Sequence, residues 1–159
     1  MPRKGAVRKT LPKKDPIYGN RMVTKLINRS MYDGKKSVAQ GQVYKAFELI
    51  EKETKRDPVA VFNTALGKIR PEMEVRSRRV GGAAYQVPVP VRGDRKDSLA
   101  IRWLISAARA KSNSEFHTFA EKLARELIEA SNGEGGAVRK KLEIEKIAES
   151  NKAFSHFKW

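Results

Sequence analysis

A chain of 159 residues is long enough for one domain with a real hydrophobic core. It has no cysteine, which excludes disulfides, a thiolate nucleophile and Cys-ligated zinc and suits a reducing compartment. Its 34 Lys and Arg outweigh 18 Asp and Glu to leave +16, an excess that needs a polyanion or a dense counterion atmosphere.

The charge is unevenly placed. Residues 1–36 hold 11 basic and 2 acidic side chains, and residues 68–96 hold 8 and 3. Residues 37–67 are balanced at 4 and 4, and residues 97–159 nearly so at 11 and 9. A surface charged only for solubility would mix its signs more evenly. No apolar run reaches about 18 residues, so no membrane span is expected. No apolar segment follows the basic start, so no secretory signal is expected either.

In chain order, residues 1–16 carry three prolines and many cations without an apolar period, which predicts a disordered basic N-terminal arm. Asn20 is a candidate N-cap, and Met22, Val23, Leu26 and Ile27 follow at helical spacing until Asp33-Gly34 stops the helix. A second helix is predicted from Ser37 to Thr54, with Ala39, Val43, Ala46, Phe47 and Ile50 on one face. Asp57-Pro58 restarts a third, since Asp caps and Pro suits the first helical position. Phe62, Leu66 and Ile69 form its buried stripe before Pro71.

The stretch "VRSRRVGGAAYQVPVPVR", Val75 to Arg92, then changes the period from helical to two. Its arms flank Gly81-Gly82 and predict a β-hairpin at 74–92, with a loop somewhat longer than two residues. Tyr85, Val87, Val89 and Val91 alternate with Gln86, Pro88, Pro90 and Arg92. Proline donates no ladder hydrogen bond, so the second arm reads as an edge. A two-stranded ribbon alone is marginal in water. It must lie on the helical body or be completed from outside the chain.

A fourth helix, Asp97 to Ala110, is apolar on nearly every side and predicts a central, buried element. Arg102 and Arg109 share one of its faces, and Arg95 extends that line if the helix starts early. A fifth helix is expected after Ser114, with Phe116, Phe119, Ala120, Leu123, Leu127 and Ile128 inward and Asn132-Gly133 closing it. A more polar sixth covers Ala137 to Ser150, and a basic, aromatic tail, 151–159, ends the chain. The expected fold is mostly α. It is a compact bundle of about six helices spanning 17–150, with one protruding β-hairpin and the N-terminal arm. Met22, Leu26, Phe62, Leu66, Trp103, Leu104, Leu123 and Leu127 are assigned to core alone.

No catalytic constellation assembles. His117 and His156 lack partners at metal-ligand spacing, Gly81-Gly82 matches no phosphate-loop fingerprint, and no serine lies in a nucleophile elbow. No enzyme activity, cofactor, metal or small-molecule substrate is therefore expected. The ribbon reads instead as a groove-inserting element. Arg76, Arg78 and Arg79 supply forked donors for phosphate, Tyr85 a π-face for a base, and Gly81-Gly82 a close approach. Edge protection by charge and proline is the competing explanation. A disordered arm beside a hairpin suits folded RNA better than duplex DNA, because the best-defined helix is too apolar for a major groove.

At this point the chain resembles the bacterial-type small-subunit ribosomal protein seven family. The motifs are "DGKKS" (33–37), the ribbon sequence, "LAIRWLISAAR" (99–109) and "AESNKAF" (148–154), in this order and spacing. The resemblance runs from about Pro12 to Trp159; Gly41-Gln42 departs from the more aliphatic helix expected there. It implies a structural constituent of the cytoplasmic ribosome. Such a protein is a primary binder of the 16S rRNA 3′ major domain and nucleates assembly of the small-subunit head. It would lie at the subunit interface near the decoding centre and exit-site tRNA, touching ribosomal proteins nine and eleven. Carried onto this sequence, the rRNA-facing set comprises Arg3, Lys4, Arg8, Lys9, Lys13 and Lys14 in the arm. It adds Gly34, Lys35 and Lys36 in the first interhelix turn, then Arg76, Arg78, Arg79, Gly81, Gly82, Tyr85, Arg92, Arg95, Lys96, Arg102 and Arg109. For each lysine a solvated cation without a fixed contact is an equal reading. Lys140, Lys141, Lys152, Phe154 and Trp159 would face exit-site tRNA or protein eleven. A nucleoid-type DNA-binding protein is the alternative.

Overall fold

A computed structural model describes residues 11–157. Among them the chain forms six α-helices, a two-stranded antiparallel ribbon and a C-terminal 3₁₀ helix. The helices are α1 (Arg21–Ser30), α2 (Lys36–Thr54), α3 (Pro58–Ile69), α4 (Gly93–Ala110), α5 (Phe119–Asn132) and α6 (Gly136–Ser150). Strands β1 (Met73–Val80) and β2 (Ala83–Pro90) separate α3 from α4, and the 3₁₀ helix is Lys152–Phe157.

Helix starts follow local chemistry. The Asn20 side chain accepts from the Met22 N–H at 2.8 Å, and Asp57 accepts from Val59 and Ala60 with Pro58 at the first helical position. Thr118 and Glu121 form a reciprocal capping box at α5. That box places the α5 start at Phe119, so Phe116 and His117 belong to the preceding loop and not to the helix. Gly133 closes α5 with φ +97°, where a side chain would be strained. Two further boundaries shift. α1 ends at Ser30, before the left-handed pair Asp33 and Gly34, and α4 begins at Gly93 instead of Asp97.

The core is one cluster drawn from all six helices, with Leu26, Val43, Phe47, Phe62, Leu66, Leu104, Leu123 and Leu127 at 0–1 % exposure. No ribbon residue belongs to it. Two residues assigned to core sit at its margin: Met22 and Trp103 are only half-buried. α4 is not apolar on every side in space, because Arg102, Ser106, Arg109 and Ala110 form an exposed face beside Trp103.

The stretch before α1 is tied down from Asp15 onward. Asp15 is 4 % exposed. Its carboxylate accepts from the Ile17 and Tyr18 N–H groups and from the Tyr44 hydroxyl at 2.8 Å. The ordered body therefore reaches back into the segment read as a disordered arm. Residues 1–10 of that arm lie outside the described residues. Gln42 also has a structural use, for its side-chain oxygen accepts from the Ala120 N–H at the α5 N-terminus. An amide at that position ties α2 to α5, which an aliphatic side chain could not do.

Candidate nucleic-acid interface

The ribbon turns on two residues, Gly81 and Gly82, with φ of +57° and +90°. Both signs are positive, as a tight hairpin turn requires, so the loop is shorter than the sequence suggested. Val80 pairs with Ala83 and Arg78 with Tyr85. This register places Glu74, Arg76 and Arg78 on one face with Tyr85, Val87 and Val89. Val75, Ser77 and Arg79 share the other face with Ala84, Gln86 and Pro88. Adjacent arginines 78 and 79 thus project from opposite faces of the tip.

The ribbon's base does not stand free. Val87 and Pro88, on opposite faces, are both buried, and α6 and the 3₁₀ helix pack against the strands. The Glu72 N–H donates to Glu145 of α6 at 3.2 Å. Tyr85 is held between Phe154 and Phe157, with ring centroids at 5.2 and 5.3 Å. Its ring is half-buried, so the open stacking platform expected from the sequence is already occupied by the chain's own aromatics. At the tip, Arg79 and residues 81–84 are exposed and Val80 is half-buried.

The arginines fall into two groups. Arg76 and Arg95 both pair with Glu74, a carboxylate 6 % exposed, through Nε–oxygen contacts of 2.6 Å. Lys96 pairs with Glu72, whose carboxyl is held below the ordinary carboxylate range by that hydrogen bond and the lysine's charge. Arg109 donates to the Ser30 carbonyl at 3.0 Å and lies 4.1 Å from the Tyr32 ring centroid. It pins the α1–α2 turn to α4. By contrast, Arg78, Arg79, Arg92 and Arg102 have no carboxylate partner among the described residues. Their charge is available to a polyanion.

The remaining positions are scattered around this centre. Lys13 and Lys14 are exposed where the described chain begins. Gly34, with φ +73°, shapes the turn that carries exposed Lys35 and Lys36. Lys140 pairs with Glu143, Lys141 donates to the Lys68 carbonyl, and Lys152 is exposed. Arg3, Lys4, Arg8, Lys9 and Trp159 lie outside the described residues. Sequence reasoning missed Glu74 and Phe157. The signal for Glu74 was its place two residues before Arg76, on the same face of a period-two strand.

A second charged centre is structural. Glu126, 1 % exposed, accepts from the Ala137 N–H and pairs with Lys111, which also pairs with Glu129. Buried Lys122 donates to the Lys111 carbonyl and to Asn113. Burial opposes the charge on Lys111, yet its two carboxylate partners raise its pKa. This network joins α4, α5 and α6. No helix among the described residues is long and apolar enough to cross a membrane.

The sequence profile of a family described as Ribosomal protein S7p/S5e matches residues 2–152. The chain is 53 % identical to the small ribosomal subunit protein uS7 of Carboxydothermus hydrogenoformans, over all of both chains. It is 54 % identical to that of Moorella thermoacetica, again over both full lengths. The uS7 of Thermoanaerobacter pseudethanolicus is 53 % identical with the same complete coverage.

Proposed function

The chain belongs to the ribosomal protein S7p/S5e family, and from that membership we propose that it is a structural RNA-binding component of the small ribosomal subunit in the cytoplasm. Its finer role is primary binding of the 16S rRNA 3′ major domain, which starts assembly of the subunit head. Exit-site tRNA and ribosomal proteins nine and eleven are its further neighbours at the subunit interface. Its work is architectural and not catalytic. The observation that carries the RNA reading is the division among the arginines. Among the described residues at the ribbon tip and along α4, Arg78, Arg79, Arg92 and Arg102 lack internal carboxylates, as do Arg21, Arg29, Arg56 and Arg139 elsewhere on the body, while Glu74 holds Arg76 and Arg95 at the ribbon's base. Unpaired guanidiniums on a firm scaffold favour phosphate contact, and the four that the ribbon and α4 share favour a docking site there.

The test is binding of a 3′ major domain transcript, with duplex DNA and poly(U) as competitors. Affinity should fall linearly with salt on logarithmic axes as phosphate contacts release counterions. Replacing Arg78 and Arg79 together by Ala should weaken transcript binding by about 2–4 kcal/mol, the scale of two charge-assisted contacts, with the unfolding midpoint unchanged. Equal preference for duplex DNA would replace this reading with the nucleoid-type alternative.

A further inference from the structure

The ribbon's base contains an acid where simple charge attraction argues against one. Glu74 lies on β1, opposite Val89, with its side chain only 8 % exposed. One carboxylate oxygen accepts from Arg76 and the other from Arg95, which comes from the first turn of α4. Both arginine side chains remain about half exposed, at 49 % and 51 %. Each guanidinium has five N–H donors in a fixed plane. Arg95 spends one on Glu74, and Arg76 spends its Nε and one Nη on a single oxygen. Most of the donors on both planes therefore stay unused and outward. They border an open cleft of about 730 Å³, walled by Val89 and Pro90 and completed by the unpaired Arg92. Asp94, on the same rim, sits in the first turn of α4, where the helix dipole favours a carboxylate.

Resting on the reading of the chain as an rRNA-binding protein, we propose that Glu74 is a positioning residue for RNA. It fixes the guanidinium planes of Arg76 and Arg95 so that, with Arg92, they clamp one stretch of phosphate backbone at the ribbon's base. A free arginine loses rotamer freedom when it grips phosphate, and a guanidinium already held by its Nε edge loses less. The carboxylate weakens long-range attraction by one charge and improves short-range fit. The two effects have opposite signs in binding, which makes them separable.

Glu74→Gln keeps the shape and removes the charge. Measured at fixed salt, binding of the 3′ major domain transcript should weaken about tenfold, while binding of poly(U), which needs no fixed geometry, should stay equal or tighten. Thermal unfolding of the same sample reports whether the variant is folded. If it is not, Arg95→Lys decides, since it keeps the positive charge on a half-exposed side chain and removes the planar fork. It too should weaken transcript binding several-fold and leave poly(U) binding unaltered. Transcript affinity equal to or tighter than wild type in folded Glu74→Gln overturns the proposal. So does wild-type affinity in Arg95→Lys where Glu74→Gln does not fold. Failure of the wild-type protein to prefer the transcript over poly(U) would instead overturn the rRNA-binding reading itself.

Discussion

Phe154→Ala should loosen the ribbon without unfolding the protein. Phe154 meets Tyr85 at 5.2 Å and stacks on Phe157 at 6.4 Å with an interplanar angle of 9°. An aromatic pair contributes about 0.5–1.5 kcal/mol beyond area burial, so losing both costs about 1–3 kcal/mol. None of the three rings belongs to the main core cluster, so the loss stays local. At about 1.4 kcal/mol per factor of ten, local opening of the ribbon should become about 5- to 150-fold more frequent. Amide hydrogen exchange reads this directly. Protection of the hydrogen-bonded amides of Tyr85 to Val89 should fall by that factor, while α4 and α5 amides keep wild-type protection. An equal loss across ribbon and helices would mean that the 3₁₀ helix supports the whole fold. Unchanged ribbon protection would mean that the aromatic cluster does not brace it.

Other perturbations test the body. Thr118→Ala removes half of the α5 capping box and should cost about 1 kcal/mol in chemical denaturation, because the Glu121 N–H then lacks its acceptor. Trp103→Ala should cost about 2–4 kcal/mol, below the value for a fully buried aromatic, because Trp103 packs on the margin of the core with part of its ring in solvent. The Glu129 carboxyl, against the effect of its burial, is held below the usual range by Lys111 and Arg125. A depressed folded pKa means stability that is fully present above about pH 4.3 and lost as pH falls through the lower folded value. Glu129→Gln should therefore flatten the acid limb of the stability curve, and an acid limb as steep as wild type would show that the carboxyl titrates alike in both states.

The helical scheme was legible because each cue is local. Asn20, Asp57-Pro58 and Asn132-Gly133 mark helix ends by chemistry that needs no distant partner. The ribbon and its faces followed from the period of two. The misjudged side-chain environments share a cause, which is that the deciding partner was far away in sequence. Trp103 looked central because its neighbours are apolar, but which side of α4 meets solvent depends on where α5 and α6 pack. Tyr85 looked like a free platform because nothing nearby covers it, and its cover arrives some 70 residues later, at Phe154 and Phe157. Asp15 sat in a stretch whose composition reads as disordered, and its anchor is Tyr44. For the interface, sequence could nominate arginines by type. It could not say which would be spent on Glu74 or on the Ser30 carbonyl.

That spending gives the ribbon a gradient of pairing along its length, and on the proposed RNA reading a gradient of function with it. At the base, Glu72 and Glu74 hold Lys96, Arg76 and Arg95, and α6 and the 3₁₀ helix pack against the strands. Toward the tip, past Ser77, the described ribbon has no acid, and Arg78 and Arg79 project from opposite faces. Unpaired charge acts over about a Debye length, near 8 Å at physiological salt, and so governs approach. Paired, oriented guanidiniums act only on contact and so govern fit. A ribbon that were charged and bare throughout would bind any polyanion and would be held to the body by little. One neutralised throughout would have no attraction with which to start. Because the main core uses no ribbon residue, movement of the tip costs local contacts alone and leaves the six-helix body unchanged, which is what the proposed docking on RNA requires of it.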